Sequence, residues 1–438
     1  MRALFILIFI IRFFDVKSQW KELGNLNSFI GATDMDNLVC DKNGNIYTAP
    51  DVFNGSILKW NGQQWTKFGF INNIWANSIC INSVGKMFGR TSSSLTENCL
   101  SEWNGSSWIN LNGPCGIVSM CADGGGNLYV GGTFTNTSGD LYITKWDGNS
   151  WTALGGITGW YSHYKLIRAI CADKFGNIYA TGGFTNTAGN FYVAKWDGSA
   201  WTEVGGFNAL AANSVILALH CDVDGNLYAG GSFSNAEGNA YVAKWNGVKW
   251  SELEGLDAGE ASYFSDNSTY AICSDKYRNI YVGGWLKSKK NGNYFVAKWT
   301  GNKWVELDIG RGFGKAVKTL CIDSMGNLYA AGGFKNDFGN NFVAVYPNAT
   351  FTSLYKQSVH QIEFTTFPNP CTNQLNISSD LPIHSVQICD LSGKSVLAKT
   401  FDTQQNTYTI DVNHLAKGLY IAQLQSEKGK QFVKVLKE

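Results

Sequence analysis

The stretch Cys171-Ala-Asp-Lys-Phe-Gly-Asn-Ile-Tyr-Ala-Thr-Gly-Gly-Phe184 decides the fold, because recognisable versions of it occur seven times along the chain. The aromatic residue that follows the Gly-Asn turn marks each copy, and these residues are Tyr47, Phe88, Tyr129, Tyr179, Tyr228, Tyr281 and Tyr329. Successive copies are therefore about 40–50 residues apart, a period typical of propellers and other repeat architectures.

A second marker follows the first in every copy. Six copies contain two tryptophans five residues apart, which are Trp60/Trp65, Trp103/Trp108, Trp146/Trp151, Trp196/Trp201, Trp245/Trp250 and Trp299/Trp304. The seventh copy has Tyr346 and Phe351 at the same spacing. Two independent markers in register establish seven true repeats.

Each repeat is predicted to contain four short strands, A to D. In the fourth repeat these are Leu166–Asp173, Asn177–Phe184, Asn190–Trp196 and Ala200–Gly205. In five repeats the A–B connection has Asp at its start and Gly three residues later, and in five the C–D connection contains Asn-Gly or Asp-Gly; both patterns favour tight hairpins. The sixth repeat has Arg278 in place of the turn glycine, which predicts local backbone strain.

Such a sheet cannot bury both of its faces alone, whereas seven sheets stacked around one axis can. The sequence therefore predicts an all-β chain: a seven-bladed β-propeller of four-stranded blades, followed by a small antiparallel β-sandwich. The double glycine near the end of strand B, as in Gly182-Gly183, and the paired aromatics resemble kelch-type propeller repeats. The segment Trp20–Gly24 matches strand D without a preceding A, B or C, so we expect it to close the ring, and Phe351–Leu354 competes for that place.

The N-terminus and the composition restrict where the protein works. Met1-Arg2 precedes nine apolar residues, Ala3 to Ile11, too few to span a bilayer but typical of a signal peptide, here residues 1–18. No other stretch is apolar enough to predict a transmembrane span in the mature chain. A net charge of +1 gives no electrostatic basis for binding nucleic acid or an anionic membrane.

The repeats end at about residue 357, so the predicted domains are a propeller over 19–357 and a β-sandwich over 358–438. Four motifs of this last segment are Phe367-Pro-Asn-Pro370, Ile388–Lys394, Leu415–Tyr420 and Phe432–Val435. In this order they resemble the type A C-terminal sorting domain of the type IX secretion system of Bacteroidota. The residues that carry the resemblance are Pro368, Asn369, Pro370, Gly393, Lys394, Gly418, Tyr420 and Lys434.

This resemblance implies a route and a partner. It implies export by the signal peptide, then passage over the outer membrane by the type IX secretion machinery acting on residues 360–438, and release or attachment at the cell surface. It also implies that the sorting domain is often removed. From the residues alone, an ordinary immunoglobulin-like accessory module remains the alternative.

Seven of the eleven cysteines lie on strand A, one per repeat. Five are in register (Cys80, Cys121, Cys171, Cys273 and Cys321) and are interpreted as small core residues. Cys40 and Cys221 are shifted by one residue, which turns them to the other face of the sheet and leaves open a bridge such as Cys171–Cys221. Cys99–Cys115 and Cys371–Cys389 are the other candidate disulfides.

The sequence contains no catalytic motif, and its five histidines are scattered. His220 takes the in-register cysteine position of the fifth repeat and is interpreted as a core histidine. Asp222-Val-Asp-Gly-Asn226 resembles part of a calcium loop, but hairpin geometry explains the recurring Asp without a metal. We therefore predict no cofactor, with calcium as the alternative.

Binding residues are expected on the variable connections that leave strand D, since loops on a rigid scaffold commonly carry function. The candidates are Trp160, Tyr161, His163, Tyr164, Glu260, Tyr263, Phe264, Asp266, Arg311 and Lys315. The favoured hypothesis is a secreted or cell-surface, non-enzymatic propeller that binds a carbohydrate or a protein. The alternatives are a polysaccharide-active lyase or hydrolase and a structural component of the surface or matrix.

Overall fold

The computed structural model divides the chain into two compact units, residues 1–348 and 349–438. It describes residues 20–24, 26, 35–50, 57–68, 78–91, 99–157, 159, 165–256, 258, 267–307, 313–336, 338–348, 364–379, 383–390, 394–401, 407–426 and 429–438. The predicted signal peptide and the predicted boundary at 357/358 lie outside these residues. Within them every regular element is a strand, and there is no helix that could cross a membrane.

The described residues of the first unit form 28 strands. They are β1 (Lys21–Leu23), β2 (Met35–Cys40), β3 (Ile46–Pro50), β4 (Ile57–Trp60), β5 (Trp65–Phe68), β6 (Ile79–Ile81), β7 (Met87–Thr91), β8 (Cys99–Trp103), β9 (Trp108–Asn110), β10 (Ile117–Ala122), β11 (Leu128–Gly132), β12 (Leu141–Trp146), β13 (Trp151–Ile157), β14 (Ile167–Ala172), β15 (Ile178–Gly182), β16 (Ala194–Trp196), β17 (Trp201–Glu203), β18 (Ile216–Cys221), β19 (Leu227–Gly231), β20 (Val242–Trp245), β21 (Trp250–Leu253), β22 (Thr269–Ser274), β23 (Ile280–Gly284), β24 (Val296–Trp299), β25 (Trp304–Leu307), β26 (Val317–Ile322), β27 (Leu328–Gly332) and β28 (Val343–Tyr346). Strands β2 to β25 form six consecutive four-stranded antiparallel sheets, which are blades one to six. The predicted blades are confirmed, including blades one and two, whose sequences lack the double glycine.

The seventh blade takes its outer strand from the other end of the propeller. Its order is β1-β28-β27-β26, and Lys21 pairs with Val345 while Leu23 pairs with Val343. The predicted closure of the ring by the N-terminal segment is therefore confirmed, and the competing segment 351–354 lies outside the described residues. Leu26 and Met35 are fully buried against Tyr329 and Val343, so blade one packs directly on blade seven.

In five of the six pairs, all but Trp103/Trp108, the indole N–H of the second tryptophan ties its blade to the preceding one. The Trp201 indole N–H donates to the Leu154 carbonyl at 2.7 Å, and the Trp250 indole donates to Val204 at 3.0 Å. Trp151, Trp304, Trp65 and Trp20 make the same bond to Leu111, Leu253, Leu23 and Leu307. The last two of these bonds cross the closure, which explains why the Trp pair recurs and why Trp20 precedes β1.

The glycine three residues after the marker aromatic is required by a close crossing of strands A and B. A Cβ atom on Gly182 would lie 2.1 Å from the Leu166 carbonyl oxygen, inside any allowed contact. Its equivalents in blades three, five, six and seven are equally close to a strand A carbonyl; they are Gly132, Gly231, Gly284 and Gly332. Here the register of strands A and B shifts, for example between Ile167 and Ala169.

The A–B turns form as the sequence predicts. In blade four the Asp173 carboxylate accepts the backbone N–H groups of Phe175 and Asn177 through Oδ1. Its Oδ2 accepts the Asn177 amide and the Tyr179 hydroxyl at 2.7 and 3.0 Å. Arg278 takes a φ of 71° in place of the turn glycine, so this turn keeps the left-handed conformation at a non-glycine residue.

The second unit contains two sheets. Its strands are β29 (Phe364–Phe367), β30 (Gln374–Ser379), β31 (Ile383–Cys389), β32 (Ser395–Thr400), β33 (Thr407–Asp411), β34 (Gly418–Ser426) and β35 (Gly429–Lys437). The sheet orders are β29-β30-β33 and β32-β31-β34-β35, around a core that includes Leu375, Val386 and Tyr420. The predicted antiparallel sandwich is confirmed, although the sequence analysis assigned no strand to β29 or β32.

The cysteine predictions have mixed outcomes. Cys99 and Cys115 form a disulfide. Cys371 and Cys389 are both free thiols, so that predicted pair is wrong. The backbone of Cys371 pairs with Lys437 at the outer edge of β35. Cys389 is on β31, which β34 separates from β35 in the same sheet. Three strand spacings of about 4.8 Å each are beyond the reach of a disulfide.

Candidate functional site

A cavity of about 270 Å³ lies between blades three and four. Its walls come from the end of strand D of blade three, the B–C connection of blade four, and strands C and D of blade four with the turn that follows. Its lining includes Gly159, Thr185, Asn186, Tyr192, Trp201, Glu203 and Phe207. The cavity is on the side of the propeller formed by the B–C and D–A connections, which is the side on which binding residues were predicted.

Three aromatic side chains form the apolar part of the cavity wall. Phe207 follows Gly205-Gly206 in a turn at the end of strand D and is 67% exposed, which is unusual for a phenylalanine. Trp201 and Tyr192 are partly buried, and the bond from the Trp201 indole to Leu154 fixes that ring against blade three. The cavity thus presents one open ring beside two rings held by the fold.

The polar part of the cavity is organised around Glu203. Its Oε1 accepts the backbone N–H of Asn208 at 2.8 Å and the Asn186 amide at 3.3 Å. The Asn208 side-chain oxygen accepts the amides of Asn186 and Asn190 at 3.2 and 2.7 Å. Asn208 has a φ of 60°, so the turn that carries Phe207 is held in shape by these bonds.

Burial changes the acidity of two groups in the cavity. Loss of hydration raises the pKa of Glu203, and the hydrogen bonds from Asn186, Asn208 and Ala209 oppose that rise. Burial and the nearby Glu203 charge raise the pKa of Tyr192 to about 12. At neutral pH the Tyr192 phenol keeps its proton and can donate a hydrogen bond, and the Glu203 carboxyl oxygens are hydrogen-bond acceptors.

The predicted binding residues are almost all beyond what the structure describes. Trp160, Tyr161, His163, Tyr164, Glu260, Tyr263, Phe264, Asp266 and Arg311 lie outside the described residues. Lys315 is described and exposed on the connection into blade seven, away from the cavity lining. Of the predicted residues the structure places Lys315 alone, outside the cavity, and Trp160 directly follows the lining residue Gly159 in the sequence.

Sequence analysis did not single out Phe207, Glu203 or Asn186. Phe207 could have been found from the sequence, because it is an aromatic residue directly after Gly205-Gly206 in the D–A connection of the fourth repeat. Glu203 has counterparts in other repeats, such as Glu252 and Glu306, so its sequence pattern resembles a structural feature. Only the cavity separates it from them.

The sorting-motif residues in the described part of the second unit have structural partners. The Asn369 amide donates to the Lys434 carbonyl at 2.7 Å, and its Oδ1 accepts the Leu436 N–H at 2.9 Å. The Tyr420 hydroxyl donates to the Ala416 carbonyl at 2.8 Å. Of the remaining described members, Pro368, Pro370 and Lys394 are exposed and Gly418 begins strand β34, while Gly393 lies outside the described residues.

The acidic turn that resembles a calcium loop is occupied by protein donors. Asp222 accepts the N–H groups of Asp224 and Asn226, the Asn226 amide and the Tyr228 hydroxyl. Asp224 forms an ion pair with Arg278 of blade six. Among the described residues no group of three or more His, Cys, Asp or Glu side chains is placed to hold a metal ion.

Comparison with known proteins identifies the second unit. Residues 365–438 match the secretion system C-terminal sorting domain family. The chain therefore carries a sorting domain of the type IX secretion system and is secreted or attached to the cell surface, which confirms the resemblance noted in the sequence. No curated protein sequence matches the chain.

Solved structures support the propeller fold. The chain is similar to the extracellular domain of the two-component system BT4673 from B. thetaiotaomicron, with 13% identity and a TM-score of 0.56 over 96% of this chain and 60% of that chain, so it spans less than two thirds of that protein. It is also similar to the GH74 xyloglucanase from Xanthomonas campestris (12% identity, TM-score 0.55, 95% and 75% coverage). YCF48 bound to D1 peptide matches with 13% identity and a TM-score of 0.50 over 75% of this chain and 97% of that chain. At these identities the likeness shows the fold alone.

Proposed function

We propose that this protein is a non-enzymatic binding protein, exported by its sorting domain, whose propeller binds a carbohydrate in the cavity between blades three and four. The observation that carries the proposal is the pairing of the open Phe207 ring with the half-buried Glu203 carboxylate at one concave place. Sugars have apolar C–H faces and rims of hydroxyl groups, so a ring beside fixed acceptors and donors complements them.

The size and polarity of the cavity support a sugar over a protein segment. A volume of about 270 Å³ is near the lower end of small-molecule sites and fits one or two sugar rings. Glu203 and Asn186 are hydrogen-bonded to each other and the Tyr192 ring packs edge-on against Phe184 before any ligand arrives, so binding loses little side-chain entropy. The loop residues Trp160 and Tyr161 would extend this binding face and remain part of the proposal.

A hydrolytic role is less well supported at this cavity. Glycoside hydrolysis ordinarily needs two carboxyl groups across the scissile bond. Among the described lining residues Glu203 is the one carboxylate. The Glu203 carboxylate, held by hydrogen bonds from the protein, is suited to accepting hydrogen bonds from sugar hydroxyl groups. We therefore place this protein among the binding proteins.

The partner in export is proposed to be the type IX secretion machinery acting on residues 360–438. A chain that lacks these residues should accumulate inside the outer membrane, whereas the full chain reaches the surface or the medium. Fractionation with a propeller-directed antibody measures this. Surface display of the truncated chain would contradict the proposed partner and would leave the sugar cavity untouched.

The cavity is tested with Phe207→Ala and Glu203→Gln in the full chain. A glycan array first identifies the bound class, and calorimetry with the best array ligand then measures affinity. We expect each substitution to weaken binding at least tenfold, the equivalent of about 1.4 kcal/mol. Unchanged affinity in both variants would overturn the proposal, as would release of reducing ends from a polysaccharide that stops in Glu203→Gln, which would indicate an enzyme.

The chain offers a matched control on the same side of the propeller. Phe338 is 88% exposed at the B–C turn of blade seven, outside the cavity. Phe338→Ala removes a ring that is even more exposed than that of Phe207 and should leave the affinity unchanged. If it weakens binding as much as Phe207→Ala does, the ligand is held by general surface apolarity and not by this cavity.

A further inference from the structure

Neighbouring blades meet along their A strands in one repeated contact. Both positions are on strand A and are counted back from the last residue of the A–B turn, which is Gly, or Arg278 in blade six. We call the residue five positions before it the facing position and the residue four positions before it the receiving position. His220, at the facing position of blade five, lies 2.7 Å from the Ser274 hydroxyl at the receiving position of blade six, measured from Nε2 to Oγ. A facing side chain therefore touches the receiving side chain of the following blade.

Two of the seven blade-to-blade gaps place cysteine at both positions. Cys171 of blade four faces Cys221 of blade five, with the Sγ atoms 3.0 Å apart. Cys321 of blade seven faces Cys40 of blade one, and these two thiols are also in hydrogen-bonding contact. The shifted cysteines, Cys40 and Cys221, thus each meet an in-register cysteine of the preceding blade.

We propose that the secreted protein carries two cross-blade disulfides, Cys171–Cys221 and Cys40–Cys321. A disulfide needs an Sγ–Sγ distance of about 2.05 Å, so the first pair must close by about 1 Å, which side-chain rotation can supply. The protein is exported, and exported compartments are oxidising, so the condition for the reaction is met. This inference is independent of what the propeller binds.

The two bonds differ in what they hold together. Cys171–Cys221 links two blades that follow each other in the chain. Cys40–Cys321 crosses the seam where blade one packs on blade seven, beside Leu38 and Tyr329. The second bond makes closure of the ring covalent, because it joins the beginning of the propeller to its last blade.

The chemistry is a two-electron oxidation for each pair. The two S–H bonds break, one Sγ–Sγ bond forms, two protons are released and two electrons pass to the disulfide of a thiol oxidase, which becomes a dithiol. Burial raises the pKa of both Cys171 and Cys321, which suppresses the reactive thiolate in the closed propeller. The bonds therefore form while the blades assemble and are shielded from reductants afterwards.

The first test maps the cysteines of the exported full chain with its sorting domain, which carries Cys371 and Cys389, still attached. The chain is unfolded without reductant, alkylated, and analysed by mass spectrometry. Nine cysteines lie outside the Cys99–Cys115 disulfide, so nine are alkylated if no further bond exists, and five are alkylated if four of them join in two bonds. We expect five. A count of nine overturns the proposal, and seven overturns one bond, which the peptide map identifies.

Substitutions of bonded and unbonded cysteines should change the number of alkylated cysteines in opposite directions. Cys171→Ala should raise the count from five to six, because Cys221 loses its partner, and Cys40→Ala should do the same for Cys321. Cys121→Ala is the matched control, since Cys121 occupies the facing position of blade three and the residue opposite is Ala172; it should lower the count from five to four. If the thiols are unbonded, all three variants lower the count by one from nine.

A stability readout separates bonds from thiol contacts. In a Cys99→Ser/Cys115→Ser background, reductant present during unfolding should lower the melting temperature by several degrees, because two further loop closures are lost. Adding Cys171→Ala and Cys40→Ala to this background should abolish the reductant effect. A reductant effect that persists in that variant would overturn the assignment.

Discussion

The two ends of a blade use the same turn and treat its polar side chain differently. In blade four, Asp173 begins the A–B turn and Asn186 begins the B–C turn, and each side-chain Oδ1 accepts the backbone N–H groups two and four residues ahead. Each turn also closes with a glycine at positive φ, Gly176 and Gly189. The backbone design is therefore common to both sides of the propeller.

The two turns differ in what the second polar atom of the first side chain contacts, which is Oδ2 in Asp173 and the amide nitrogen in Asn186. At the A–B turn, Asp173 Oδ2 accepts Asn177 and Tyr179 of its own blade, so the polar groups satisfy one another internally. At the B–C turn, the Asn186 amide reaches outward to Glu203 and Asn208. The A–B side thus stabilises the blade, while the B–C side organises the cavity wall.

This contrast also explains which side varies. The Asp–Asn–Tyr group recurs in six blades, at Asp41, Asp123, Asp173, Asp222, Asp275 and Asp323. Amide-to-carboxylate contacts at the B–C side recur in blades four, five and seven, at Asn186, Asn235 and Asn336, but the cavity with Phe207 adjoins blade four. Repetition thus marks architecture, and departure from it marks the candidate site.

The largest expected effect is the loss of stability when the first polar residue of each turn is removed in blade four. Asp173→Ala leaves the Tyr179 hydroxyl, the Asn177 amide and two backbone N–H groups without their acceptor in a buried place, which should cost about 3 kcal/mol. Asn186→Ala removes a turn acceptor at a more open end and should cost about 1 kcal/mol. Denaturant unfolding followed by tryptophan fluorescence measures both, and equal losses would refute a division of labour between the two ends.

The next prediction concerns how the stability of the propeller depends on pH. It separates His220, which lies at the contact between blades five and six, from the carboxylates of the A–B turns. Burial lowers the pKa of His220 to about 4 from its usual 6.5, so the unfolded chain binds the additional proton between these values. The stability from neutral His220 is complete above pH 6.5 and declines as the pH falls toward 4, by up to about 3 kcal/mol. The pKa of Asp222 is lowered below 3.8, so the A–B turn carboxylate keeps its charge through that window.

His220→Gln provides the control for this pH effect, because the amide can still bond Ser274 but does not titrate in the window. Its unfolding free energy should change less between pH 6.5 and 4 than that of the unsubstituted chain. Parallel pH profiles for the two proteins would show that the decline comes from other groups.

The sequence predicted the fold in most of its detail, for physical reasons. Asp173 with Gly176 and the Trp196/Trp201 pair act within one blade or between adjacent blades, so one repeat contains the signal. Trp20 gave the closing strand because it repeats the Trp201 role without its own blade. The strands β29 and β32 have no repeat to mark them, and they were missed.

The candidate site could not be predicted to the same degree. A cavity depends on how blades three and four are spaced and on the shape of the Gly205–Asn208 turn, which no local pattern encodes. The prediction of a disulfide between Cys371 and Cys389 failed for the same reason, because spacing in the sequence does not give the number of strands between two residues. The loop residues from Trp160 to Arg311 stay a prediction.

The smallest expected effect concerns the one A–B turn whose last residue departs from the repeat pattern. Arg278 occupies a left-handed conformation at a φ of 71°, which glycine adopts at no steric cost, but its guanidinium pairs with Asp224 of the preceding blade. The pair is largely exposed, and exposed pairs contribute little, so Arg278→Gly should raise the melting temperature by about 1–2 °C. Asp224→Asn removes the pair and keeps the strained arginine, so it should lower the melting temperature slightly, and less in high salt. If Arg278→Gly instead destabilises the protein more than Asp224→Asn does, the turn end of the propeller depends on links between blades as well as on the internal bonds of each turn.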